Sequence, residues 1–195
     1  MNSLQETLIA LFFAGWVVLI ALRVSFNSTE HSITTLQTLS TQQNIRVVSD
    51  IIEYDFRKIG HGLRNPFTAI YFADSSRIIF AYDKNPYAVY DSIRIEYTLQ
   101  DAPSTPNPRD KILLRKLNSQ NTTSVALGIT RFRLRYYNYF GTELPTPVVA
   151  DSLSKIREIE VSLTLESIEG MKETYSTSKY HTRITPKNLL IQYPG

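Results

Sequence analysis

Residues 8–22, LIALFFAGWVVLIAL, run for fifteen positions with no charged residue and no Ser, Thr, Asn or Gln. As a helix rising about 1.5 Å per residue this run spans roughly 22 Å, short of the roughly 30 Å of a bilayer core. Counting outward over 4–24 reaches the required length, but takes in Gln5, Glu6, Thr7 and Arg23. A cleaved secretory signal, a buried core helix and a retained membrane anchor all use such a segment. A signal peptide needs a basic start and a small-residue cleavage site. Residues 1–22 hold no Lys or Arg, and Val24-Ser25-Phe26 is a poor cleavage site. A core helix stays open, and a single retained anchor fits better, with Leu8, Leu11, Phe12, Trp16, Leu19 and Leu22 as its membrane-span residues. Glu6 is the odd member, because a carboxylate costs a few kcal/mol if carried toward the bilayer centre. Either it sits among headgroups or it is a buried counter-charge for a cation.

Helix signals continue past the apolar run. Residues 25–44 are polar but hold no Pro or Gly, and Ile33, Leu36 and Leu39 recur at steps of three. Ile45, Val48, Ile52, Phe56 and Ile59 then recur at steps of three and four, which puts them on one helical face. Arg46, Asp50, Glu53 and Arg57 fall off that face, and Gly60 and Gly62 supply a helix stop. The spacing predicts one helix of about 55 residues whose last third packs on a domain.

After Gly62 the period changes from 3.6 to 2. Strands are expected at 69–72, 77–82, 93–99, 112–117, 130–140, 156–166 and 175–184. Ile93, Ile95, Tyr97 and Leu99 alternate with Arg94, Glu96 and Thr98, and Ile159, Val161, Leu163 and Leu165 alternate with Glu158, Glu160, Ser162 and Thr164. Such alternation marks antiparallel strands with one buried and one wet face. Turn material lies at 83–86, 102–110, 138–141, 145–147 and 169–170. The expected class is therefore α+β. Its parts are a transmembrane or assembly segment at 1–24, a continuation of the same helix at 25–62, and an antiparallel β-rich domain at 63–195. The hydrophobic face of 45–59 would cover one side of the sheet.

The chemistry is sparse. With 43% hydrophobic and 20% charged residues the chain is neither disordered nor collagen-like. Its net charge of +3 does not demand a nucleic-acid partner. The absence of cysteine excludes disulfides, thiolate metal sites and a cysteine nucleophile. His31, His61 and His181 stand apart, with no HExxH spacing, and no GxSxG, P-loop or GxGxxG occurs. No catalytic, metal or cofactor site is expected, nor a small-molecule substrate. Sequons at Asn27 and Asn121 matter only in a glycosylating pathway. The segment RFRLRYYNYF at 131–140 interleaves basic and aromatic side chains, as single-strand nucleic-acid surfaces do. On a strand, Arg131, Arg133 and Arg135 share one face and Phe132, Leu134 and Tyr136 the buried one. The favoured expectation is that Glu158, Glu160 and Glu166 on a neighbouring strand pair with the arginines. A polyanion surface is the second reading.

The start Ser3-Leu4-Gln5-Glu6-Thr7-Leu8-Ile9-Ala10-Leu11 resembles that of mature type IV pilins and pseudopilins, which reads Phe-Thr-Leu-Ile-Glu before an apolar run. Ile51-Ile52-Glu53-Tyr54-Asp55-Phe56-Arg57-Lys58-Ile59-Gly60 is similar to the Leu-x-x-Asp-Leu-Arg-x-Ala-Gly segment of larger minor pilins. Those are the PilW class and the J-type pseudopilins of type II secretion. Asp91 to Tyr97, Leu113-Leu114-Arg115, Ile129 to Phe132, Tyr136 to Gly141 and Thr182 to Leu189 follow in the order those proteins show. The resemblance spans nearly the whole chain. It departs in having Asn2 where the phenylalanine stands and Met1 where the preceding glycine stands. Arg23 after the span and no basic residue before it weakly favour the reverse membrane orientation. An upstream start that adds a basic leader resolves both departures, and a subunit that is never cleaved is the alternative.

The resemblance implies a pilin-like fold and a structural subunit of a type II secretion pseudopilus or a type IV pilus, not an enzyme. It would be anchored once in a bacterial inner membrane with its domain in the periplasm, and act in fibre assembly or at the tip. The implied partners are other pilins or pseudopilins, bundled through the N-terminal helix, together with the assembly platform and membrane lipid. Glu6 would neutralise the N-terminal amine of the adjacent subunit. Nucleic acid is not among the partners this reading expects. A DNA-binding minor pilin of an uptake system and a membrane-anchored periplasmic enzyme or binding protein remain the other classes.

Overall fold

The computed structural model describes residues 2–85, 92–102, 105–118, 120–170 and 174–190. The turn expected around Pro86, the motif residue Asp91 and Pro103 lie outside them. Helix α1 covers Asn2–Arg57 without a break. Gly15 is its only glycine and it contains no proline, so nothing local interrupts it. Through the polar stretch, Thr29, Ser32, Thr35 and Thr38 donate their hydroxyls to the carbonyls four residues earlier. Those hydroxyls are thus satisfied within the helix itself. At about 1.5 Å per residue α1 is roughly 84 Å long, longer than any strand of the sheet.

The helix stops where the glycines stand. Gly60 takes φ +76°, and a Cβ there would approach that of Pro66 to 3.0 Å. The turn is then fastened to the domain, Gly60 N–H donating to Ala81 O at 3.0 Å and Asp83 N–H to His61 O at 2.7 Å.

Eight strands follow: β1 Ile70–Ala73, β2 Arg77–Asp83, β3 Ser92–Asp101, β4 Lys111–Leu117, β5 Asn121–Tyr137, β6 Glu143–Leu144, β7 Glu158–Glu166 and β8 Thr177–Ile184. A short helix α2, Ala150–Leu153, precedes β7. All neighbouring strands are antiparallel and form one sheet in the order β1-β2-β3-β4-β5-β7-β8, with β6 paired to β5. The sheet curls: Leu134 N–H on β5 donates to Ser75 O in the β1–β2 turn at 2.7 Å, and Tyr136 Oη donates to Asp74 O at 2.8 Å.

Helix α1 packs across β8, β7 and β5. The predicted face is the buried one, Ile45, Val48, Ile52, Phe56 and Ile59 all lying in the core. Phe56 is fully enclosed and meets Phe80 and Tyr97 edge-to-face, with ring centroids 5.5 and 5.7 Å apart. The alternating residues Ile159, Val161, Leu163 and Leu165 are buried as expected. The architecture is thus α+β, a long N-terminal helix packed on an antiparallel sheet, consistent with the pilin-like fold.

The largest difference from the expected strands is β5, which begins at Asn121 and not at 130. Its first half, mostly exposed or half-buried, pairs with β4, and its second half pairs with β7. Gly128 sits at the changeover with φ +83°, where a Cβ would stand 2.7 Å from Glu166 O. The early half has no alternating apolar face to signal a strand, because it extends past the core. The strand also ends at Tyr137, since Asn138 Oδ1 accepts from Phe140 N–H and Thr142 N–H, each at 2.9 Å, and turns the chain.

Candidate functional sites

From Leu4 to Phe26 the large apolar side chains are between 49% and 72% exposed, a continuous surface with no domain against it. This segment is long and apolar enough to cross a membrane. Leu8, Leu11, Phe12, Trp16, Leu19 and Leu22 follow one another at steps of one, three and four, so they form one side of the helix. Glu6 is exposed and precedes Leu8 by two positions, about 200° around the axis, so the carboxylate lies away from that stripe. The span from Leu8 to Leu22 is therefore apolar all round, and the charge of Glu6 stands at its start, off the Leu8 side.

The predicted arginines share a face of β5, but the register separates them. Arg135 stands opposite Glu160 and Tyr137 opposite Glu158, while Arg133 faces Ser162 and Arg131 faces Thr164. Arg135 reaches Glu160 at 3.5 Å and Glu143 at 3.7 Å. Glu166 is engaged by Arg109 at 2.8 Å and by Asn107 at 3.0 Å. The expected cross-strand pairing therefore holds for Arg135 alone. Arg131 and Arg133 are exposed and make no ion pair among the described residues.

The third strand of this face adds residues that sequence reasoning did not single out as a group. On β8, Lys179 stands opposite Thr164, His181 opposite Ser162 and Arg183 opposite Glu160. Arg183 binds Glu158 at 3.3 Å and Glu160 at 3.4 Å, and lies over the Tyr137 ring at 3.9 Å. Tyr137 Oη also donates to Glu160 at 2.9 Å. Burial would raise Glu160, but the hydrogen bonds from Tyr137 and Arg183 and the charges of His181 and Arg135 outweigh it and hold its carboxyl below the ordinary range.

A second cluster joins the helix to the sheet. Asp55, 2% exposed, accepts from Tyr97 Oη at 2.6 Å and from Arg115 Nε at 2.6 Å and Nη2 at 3.2 Å. Burial and then the Asp55 carboxylate push the Tyr97 phenol well above the usual tyrosine range. Two positions earlier Glu53 accepts from Tyr180 of β8 and from Arg57 at 2.8 Å. The Tyr180 hydrogen bond, then Arg57, lower the Glu53 carboxyl, while burial and then Glu53 push Tyr180 up to about 12. These polar contacts fix the helix in rotation and in height, because Asp55 is held by Tyr97 and Arg115 of β3 and β4 and Glu53 by Tyr180 of β8. The sequence shows Asp55, Tyr97 and Arg115, but their meeting depends on which strands lie under the helix.

Among the described residues, no three His, Asp or Glu side chains converge as a metal site. Compared with known proteins, the chain matches no family model and no curated protein.

Proposed function

We propose that the chain is a structural subunit of a pilin-like fibre, a minor pilin or pseudopilin of a type IV pilus or a type II secretion pseudopilus. One observation carries this reading. A single rigid helix has two unlike halves, the C-terminal one built into the domain core and the N-terminal one free and apolar on all described sides. A plain membrane tether has no need of such continuity, because a flexible linker would serve. A fibre needs it, because load and position pass from the bundled helices to the displayed domains through the same rod.

On this reading the segment 4–24 rests in the inner membrane before assembly, with the domain in the periplasm. Neighbouring helices and the assembly platform replace lipid around it during assembly. Glu6 becomes the counter-charge of a neighbour's N-terminal amine. A carboxylate and an ammonium buried together are tolerable, whereas removal of one leaves the other costly. The joint made by Asp55, Glu53 and their partners keeps the domain at a set angle to the rod.

The experiment compares wild type, Glu6→Gln and Glu6→Asp in cells that assemble the fibre, measuring membrane-pool and sheared-fibre protein. Glu6→Gln is expected to insert normally, since loss of a charge eases insertion. It is expected to be depleted from the fibre, with Glu6→Asp intermediate. Equal incorporation of all three would return Glu6 to a headgroup-level residue with no assembly role.

A further inference from the structure

We infer that the outer face of the β5–β7–β8 ladder binds single-stranded nucleic acid. Side chains on this face stand in rows across three strands: Arg131–Thr164–Lys179, Arg133–Ser162–His181 and Arg135–Glu160–Arg183. Strands lie about 4.8 Å apart and same-face residues about 6.6 Å apart along a strand, so the first two rows occupy a patch roughly 10 Å across. That patch presents Arg131, Arg133, Lys179 and His181, all exposed, with two hydroxyls between them and no carboxylate.

The acids of the face flank the patch and are already engaged: Glu158 and Glu160, in and beyond the third row, bind Arg135 and Arg183, and Glu166, beside the first row, binds Arg109 and Asn107. Among the described residues, Arg131, Arg133 and Lys179 make no ion pair. Like charges side by side on a sheet are unfavourable, and the fold does not use these for pairing or packing. A negative ligand would offset that repulsion. Guanidinium groups grip phosphate with paired donors, and Ser and Thr hydroxyls add further phosphate contacts.

Two observations choose among polyanions. The β5–β7–β8 ladder runs along α1, as the successive contacts Thr38–Ser176, Glu53–Tyr180 and Ile59–Asn188 show. The face therefore lies parallel to the rod, and a bilayer crossed by that rod cannot lie flat against it. Immediately beyond β5, the turn held by Asn138 carries Tyr139 and Phe140, 74% and 86% exposed and set edge-to-face with centroids 5.6 Å apart. Exposed rings at the end of a basic strand offer stacking platforms for unpaired bases, which an acidic protein or polysaccharide would not use.

The test uses the full-length chain in zwitterionic nanodiscs and a fluorescent oligothymidylate, read by polarisation between about 50 and 200 mM salt. The wild type should bind, and binding should weaken steeply as salt rises. Replacing Arg131, Arg133 and Lys179 together by Gln should lower affinity at least about tenfold and flatten the salt slope by about 2, roughly 0.7 per phosphate released. The charge-matched control Arg64→Gln/Lys155→Gln/Lys187→Gln should stay close to wild type, and both variants should keep the wild-type melting temperature. Phe140→Ser should weaken binding severalfold with the slope unchanged, the signature of lost stacking. No binding at low salt, equal losses in the two triple variants, or competition by polyglutamate as strong as by unlabelled oligothymidylate would each overturn the inference.

Discussion

Asp55 brings the helix and the sheet together through two partners from different strands, Tyr97 on β3 and Arg115 on β4. Removing the carboxylate leaves a buried phenol without its acceptor and a half-buried guanidinium without its counter-charge. Breaking a buried pair from one side costs about 3–5 kcal/mol, and Arg115, partly open to water, recovers some solvation. Asp55→Ala is therefore expected to lose about 3 kcal/mol in chemical denaturation. The same region sets an alkaline limit. Burial raises Tyr97 and Tyr136 well above the ordinary 10.0, and burial with the Glu53 hydrogen bond takes Tyr180 to about 12. The unfolded chain releases these protons near 10 while the folded chain retains them. Stability from these tyrosines is thus complete below about pH 10 and is lost as pH rises through the folded values. Melting temperature should fall from about pH 10 upward, and Tyr97→Phe should make that fall shallower. A parallel fall in the variant would mean that Tyr97 does not carry the effect. At this scale the sequence was only partly legible. Phe56 and its stripe could be read from a period, because burial on a helix repeats. The partners of Asp55, Arg131 and Arg133 could not, because a shift of two residues in register decides whether an arginine meets Glu160 or Ser162.

The helix works differently along its length. Phe56→Ala should cost about 3–5 kcal/mol, since the site is closed by Phe80 and Tyr97 and cannot collapse easily. Leu39→Ala, at a position 51% exposed, should cost little, within about 0.5 kcal/mol, as surface substitutions do. Thermal unfolding of the two variants side by side checks that difference, and equal losses would mean that the helix packs by another face. The strands were legible wherever alternation faced the core, as in β3 and β7. They were not legible in the first half of β5, which pairs with β4 beyond the core, nor in β6 and α2, too short to show any period. The helix stop was readable because Gly60 is required there by both its φ and its approach to Pro66.

As a whole the molecule is a rod joined to a sheet, and the account rests on what covers the rod's free half. Lipid alone would make it an anchor, and neighbouring helices would make it a fibre subunit. The natural chain has no cysteine, so one introduced residue is a unique probe. The most direct measurement is cross-linking in cells that carry the assembly machinery, with single cysteines at Leu11 or Leu19 on the rod and at Asp151 on the domain as a control. The account predicts that Leu11→Cys and Leu19→Cys give adducts to other fibre subunits only when the machinery is active, and that those adducts diminish with Glu6→Gln. A rod that stays uncross-linked and lipid-exposed while the fibre assembles normally would contradict it.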